Sequence, residues 1–143
     1  MTELINILHA GSHSLVIRRA TGVIETFDRR GVADLHALYH DPAHPLQGAE
    51  IADKVVGIGA AALMVAGRAK RCHTDVISSD ALILMKNGGV DCSYGQEVME
   101  IINRAGTGRC PLEIRLAPLH SLDRMLSEID RFVAEIEHRP VSF

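Results

Sequence analysis

The period of the apolar pattern changes along this chain, and the order of those changes limits what it can fold into. SLVIRR (14–19) and VIETF (23–27) alternate with period two, and Thr21-Gly22 between them is turn chemistry. Together they predict a β-hairpin, preceded by a short helix over ELINILH (3–9) that stops at Ala10-Gly11. Gly31 to His40 has Val32, Leu35, Leu38 and Tyr39 at helical spacing, and DPAHPLQG (41–48) is a loop broken by two prolines. Asp53 to Ala66 reads as one largely apolar, buried helix, with Asp53 as N-cap and Gly67 as stop.

The alternation then continues. RCHTDVIS (71–78) reads as a strand, and Ser79 to Lys86 as a helix ended by Asn87-Gly88-Gly89. VDCSY (90–94) reads as a strand, Gln96 to Asn103 as a helix and LEIRLA (112–117) as a last strand. Leu122 to Ile136 is an amphipathic helix with Leu122, Met125, Leu126, Ile129 and Val133 on one stripe, which packs within the chain or at a dimer interface. A hairpin followed by alternating helices and strands predicts a three-layer α/β/α domain with a mixed sheet. No internal repeat or linker divides it, so 1–143 is read as one domain, with 120–138 as an additional C-terminal helix.

Composition excludes several roles. The net charge is −3 with no basic block, so the electrostatic footprint of nucleic-acid binding is missing. Aromatics are 3% and Trp is absent, which leaves no stacking platform for single strands. The run Val55 to Gly67 is too short and too rich in Gly and Ala to span a membrane. Three cysteines, Cys72, Cys92 and Cys110, form no disulfide framework, so a reducing, cytoplasmic setting is expected.

The chemistry concentrates in IINRAGTGRCPLE (101–113). Gly106 and Gly108 free the backbone amides to converge on an anion, and Asn103, Arg104 and Thr107 add polar and cationic contacts. Cys110 supplies a thiol that Arg104 and Arg109 could activate, with Glu113 as proton acceptor. The alternative is a helix end whose glycines and polar side chains only cap a turn. Lys54, read at a helix start, would stand beside free N–H groups that attract an anion.

Other patterns are weaker. Gly57, Gly59 and Ala62 match the dinucleotide fingerprint G-x-G-x-x-A, with Asp75 downstream, but Asp53-Lys54 interrupts the strand that the fingerprint needs. His36, His40 and His44 are spaced by four but have no acidic partner nearby, and are read as solvated. His73 and Asp75 share a strand face opposite Cys72, and without any C-x-x-C a zinc site is not expected. Ser78 and Asp80 sit where a strand passes into a helix, a place for an N-cap or for a ligand contact.

Three phrases together, ADKVVGIGAAALMVAG (52–67), TDVIS (74–78) and IINRAGTGRCPLE, resemble a small uncharacterised prokaryotic family with a cytidine-deaminase-like fold. The resemblance covers roughly 4–116. It implies a pocket between two helix starts, lined by Asp53, Lys54, Ser78 and Asp80, with the Asn103–Glu113 segment folded over it. Zinc deaminases need H-x-E (or C-x-E) and P-C-x-x-C there, whereas this chain has Asp53-Lys54-Val55 and Ser78-Ser79-Asp80, so neither zinc nor another cofactor is expected. The resulting expectation is a binding domain for a small anionic or nucleotide-like molecule. The alternatives are a thiol-based enzyme or sulfur carrier acting through Cys110, and a non-catalytic homodimer.

Overall fold

The computed structural model describes residues 1–29, 31–102 and 108–137. Helix α1 (Thr2–Ala10) leads into a hairpin of β1 (Leu15–Arg18) and β2 (Ile24–Phe27). The hairpin turn needs its glycine: Gly22 has φ +95°, and its N–H donates to the Arg19 carbonyl at 2.8 Å. Then come α2 (Ala33–His40), β3 (Glu50–Val56), α3 (Ile58–Ala66), β4 (Arg71–Ser78), α4 (Ser79–Asn87), β5 (Asp91–Val98), α5 (Pro111–Leu116) and α6 (Leu122–Glu137).

The five strands form one mixed sheet in the order β2-β1-β3-β4-β5. β1 runs antiparallel to β2 and β3, while β3, β4 and β5 are mutually parallel, each joined to the next by a crossover helix. Helix α1 covers one face, where Leu4 and Leu8 pack on Val16 and Ala52. The larger core lies on the other face, where Ile17, Ile51 and Cys72 meet Leu63, Met64 and Met85. The α/β architecture with a mixed sheet therefore follows the sequence expectation.

Three elements differ from that expectation. The predicted helix over 53–66 is two elements: β3 carries Asp53 and Lys54, and α3 begins only after Gly57. Asp53 is thus not an N-cap but sits in a central strand, opposite Leu15 on one side and Thr74 on the other. The predicted helix from Gln96 is at its start the continuation of β5, an edge strand with both faces largely exposed, whose polar residues hid it. The predicted strand over 112–117 is helix α5, with Pro111 in its first turn, where a missing N–H costs nothing.

Helix α6 forms as expected. Ile129 and Val133 are buried, and Leu122, Met125, Leu126 and Phe132 pack against the same core. The apolar stripe is used inside the chain, so the dimer interface considered for it loses that surface. Among the described residues no helix is long and apolar enough to cross a membrane.

Candidate functional site

The turn from β3 into α3 organises one end of the molecule. Free N–H groups at the start of a helix attract negative charge. Here that charge comes from the chain itself: Ile58 N–H donates to Glu113 Oε1 at 2.6 Å, and Gly59 N–H donates to Glu113 Oε2 at 3.2 Å. Glu113 is buried on α5. Burial pushes its carboxyl above the ordinary range, while the two amides and the nearby Arg109 charge pull the other way.

This contact explains two glycines. A methyl added at Gly57 would overlap the Glu113 carboxylate, and one added at Gly59 would come within 2.8 Å of Leu112 Cδ2. The strand that the dinucleotide fingerprint requires is therefore present, contrary to the sequence expectation. The place of a phosphate is nevertheless filled by Glu113, and Asp75 is held by His9 Nε2 at 2.8 Å. The first helix start, now Gly57-Ile58-Gly59, carries neither H-x-E nor C-x-E.

Beside this turn lies a half-open cavity of about 490 Å³. Its floor is the C-terminal end of β3, with Asp53, Lys54, Val55 and Gly57. Val32 just before α2, Leu35 of α2, Leu112 of α5 and Phe132 of α6 make its walls largely apolar. Cys110 and Glu113 line it too, so Asp53, Lys54, Cys110 and Glu113 are brought together at one place. The described ends flanking 103–107 are tied together: Ile102 bridges to Arg109, and Cys110 N–H donates to the Ile101 carbonyl at 2.8 Å.

The charges in the cavity are unequal. Arg29 is neutralised by Asp34, with Nε to Oδ1 at 2.7 Å and backbone N–H to Oδ2 at 3.0 Å. Lys54 forms no ion pair among the described residues. Asp53 is caught between two strands, and burial pushes its carboxyl up to about 7, with Asp75 adding repulsion against two backbone hydrogen bonds. A carboxyl that titrates near neutrality can accept or donate a proton there.

The remaining expected residues fall elsewhere. Ser78 is the N-cap of α4, its Oγ accepting from Ala81 N–H at 3.3 Å, and Asp80 is exposed in the first turn of that helix. Neither lines the cavity, because α4 starts beyond β4, one strand further along the sheet. Asn103, Arg104 and Thr107 lie outside the described residues. The anion site expected of Lys54 beside free amides is corrected as well: Lys54 is on a strand, and Glu113 occupies the amides of α3. Glu113, read from the sequence as a proton acceptor, accepts hydrogen bonds from those two amides. Sequence reasoning missed Phe132 and Ile136, whose α6 stripe reads only as packing.

Cys72 and Cys92 are register partners on β4 and β5. Their thiol contact, and then burial, push the Cys72 thiol up, and the same contact lowers that of Cys92. Cys72 is fully buried and Cys92 is not. Brief native alkylation followed by peptide mass mapping should therefore label Cys92 at least tenfold faster than Cys72, since the thiolate is the reactive form. Equal labelling would mean that β5 separates from β4 on that timescale.

The family model TM1506, described as a domain of unknown function (DUF1893), matches residues 3–133. A crystal structure of a DUF1893 family protein (TM1506) from Thermotoga maritima is 22% identical with a TM-score of 0.80, covering 94% of this chain and 88% of that one. That likeness establishes the fold. No curated protein matches the chain.

Proposed function

The chain belongs to the DUF1893 family, a domain of unknown function, and from that premise we propose that it binds a small molecule with an apolar body and one anionic group. The observation that carries this reading is the cavity at the C-terminal end of β3, with apolar walls and Lys54, a cation that forms no ion pair among the described residues. Ligands of open α/β sheets sit outside the carboxyl ends of strands. Apolar lining with few placed polar groups is the usual make-up of a small-molecule site. Of the residues that the cytidine-deaminase resemblance implied, this reading uses Asp53 and Lys54, which line the cavity, and not Ser78 and Asp80, which do not.

A nucleoside monophosphate or an aromatic carboxylate meets these demands. The base or ring would lie against Leu112 and Phe132, and the anion would pair with Lys54. Asp53 accepts a proton near neutrality and so provides a hydrogen-bond donor when protonated and an acceptor when ionised. Calorimetric titration with a panel of both compound classes tests the reading. Lys54→Met should weaken the best binder roughly ten- to hundredfold, the worth of a charge-assisted hydrogen bond. Failure of every compound to bind, or a Lys54→Met protein with unchanged affinity, would rule it out.

A second reading rests on Cys110, which lines the same cavity. A thiol there would make the site covalent. Transfer of a substrate label to the wild-type chain, lost in Cys110→Ser, would favour it. Under the first reading, Cys110→Ser binds as the wild type does.

A further inference from the structure

A second cluster of functional groups lies between α2 and α6, outside the cavity just described. His36 and His40 are four residues apart on α2, which places them on one helix face. Their Nε2 atoms reach the same atom, Asp130 Oδ1 on α6, at 2.7 Å and 2.8 Å. The spacing of the two histidines stands in the sequence, but their acidic partner does not, since Asp130 follows His36 by 94 residues.

The convergence has chemical content. One imidazole hydrogen bond to a carboxylate is an ordinary surface contact. Two rings aimed at one oxygen bring two nitrogen lone-pair sites and a carboxylate oxygen together, with none of the three atoms more than 4.8 Å from another. As hydrogen bonds alone, both rings must carry a proton on Nε2. A single cation replaces both protons and serves all three atoms. Tetrahedral coordination with bonds of about 2.0–2.1 Å separates neighbouring ligand atoms by about 3.3 Å. The two N···O contacts need to open by about half an ångström, which the half-exposed Asp130 side chain allows, and the two imidazole nitrogens, within 4.8 Å of each other, need to settle at about the same spacing.

We propose that His36, His40 and Asp130 form a binding site for one divalent first-row transition ion, with Zn²⁺ as its natural fit. Two imidazoles and one carboxylate suit borderline ions such as Zn²⁺, Co²⁺ and Ni²⁺, and offer too few oxygens for Ca²⁺ or Mg²⁺. Three protein ligands also leave at least one position open, as in zinc sites that bind water or an outside ligand. His40 also lines a second cavity of about 500 Å³ with Tyr39, His44 and Arg68. The ion would clamp α2 to α6, and both helices wall the first cavity, α2 through Leu35 and α6 through Phe132.

The test is titration of chelator-stripped full-length protein with ZnCl₂ and, separately, CoCl₂. One ion per chain is expected, with Tm raised by about 8 °C when free ion exceeds Kd a hundredfold. Bound Co²⁺ should show the visible bands of nitrogen and oxygen ligands without a thiolate charge-transfer band. Asp130→Asn and His40→Gln, both at exposed positions, should each weaken binding at least tenfold with unchanged circular dichroism, and Cys92→Ser should leave it intact. The proposal is overturned by no uptake, by uptake unchanged in Asp130→Asn and His40→Gln, or by a thiolate band that disappears in Cys92→Ser. The readout is independent of the first cavity, since Lys54→Met leaves these ligands in place.

Discussion

Glu113→Ala should lower the stability of the domain by about 3–5 kcal/mol. The substitution leaves the Ile58 and Gly59 amides facing a buried void where two acceptor oxygens had been. A buried donor without a partner costs about 1–3 kcal/mol, and loss of negative charge at a helix start adds about 0.3–1 kcal/mol. The emptied volume adds a cavity term that grows by about 24 cal/mol per Å³. Urea denaturation should show a lower midpoint with the slope preserved, as expected when the native state is weakened without a change in the surface exposed. Glu113→Gln should lose less, because it keeps the shape and one acceptor. Gly57→Ala should resemble Glu113→Ala, since its methyl displaces the same carboxylate. A Glu113→Ala protein within about 1 kcal/mol of wild type would mean that water replaces the carboxylate at little cost, and that the turn does not depend on α5.

Asp53→Asn should stabilise the domain above neutrality and do almost nothing in acid. The Asp53 carboxyl is held at about 7 in the fold against an ordinary value of 3.8. Between those values the folded chain binds more protons than the unfolded chain, so stability falls as pH rises through that window. Well below the ordinary value of 3.8 both states are protonated and the contribution vanishes. Above pH 7 the cost of the buried charge is complete. At about 1.36 kcal/mol per unit the full shift comes to a little over ~4 kcal/mol, and partial exposure to water reduces the expected effect to about 2–3 kcal/mol. Asn keeps an oxygen in place of the Oδ1 that accepts from Val55 N–H at 3.4 Å. The wild-type minus variant difference, measured from pH 4 to 8, cancels the titration of Glu113. A flat difference would show that Asp53 is ionised at its ordinary pH.

Most of the fold was legible because its elements sort apolar residues by period. The hairpin with Thr21-Gly22, the β4 strand ending at Ser78 and the α6 stripe all stand in the sequence as they do in space. The misread elements share one cause: over six or seven residues, period and composition fit two structures. ADKVVG carries polar residues where central strands are expected to be apolar, because it ends at the open side of the sheet. LEIRLA alternates like a strand, yet Leu112 and Leu116 also fall on one helix face, and burial of both there decided it.

The site was legible only in part. Cys110 and Lys54 could be named as chemically notable, but nothing local says that they share a cavity; that depends on where α5 is carried after β5. Nothing near Glu113 in the sequence points to its hydrogen-bond partners, which are amides 55 and 54 residues away in the chain.

By itself the sequence determined the α/β class, the hairpin at its start, the short-range turns and the burial of the α6 stripe, because each follows from period, turn chemistry or caps acting within a few residues. Only the tertiary structure decided that Glu113 closes α3, that Asp53 is squeezed between two strands and that Asp130 meets two histidines. Those depend on burial and on charges meeting across long separations, where local pattern carries no information and the packing of whole elements sets which groups touch.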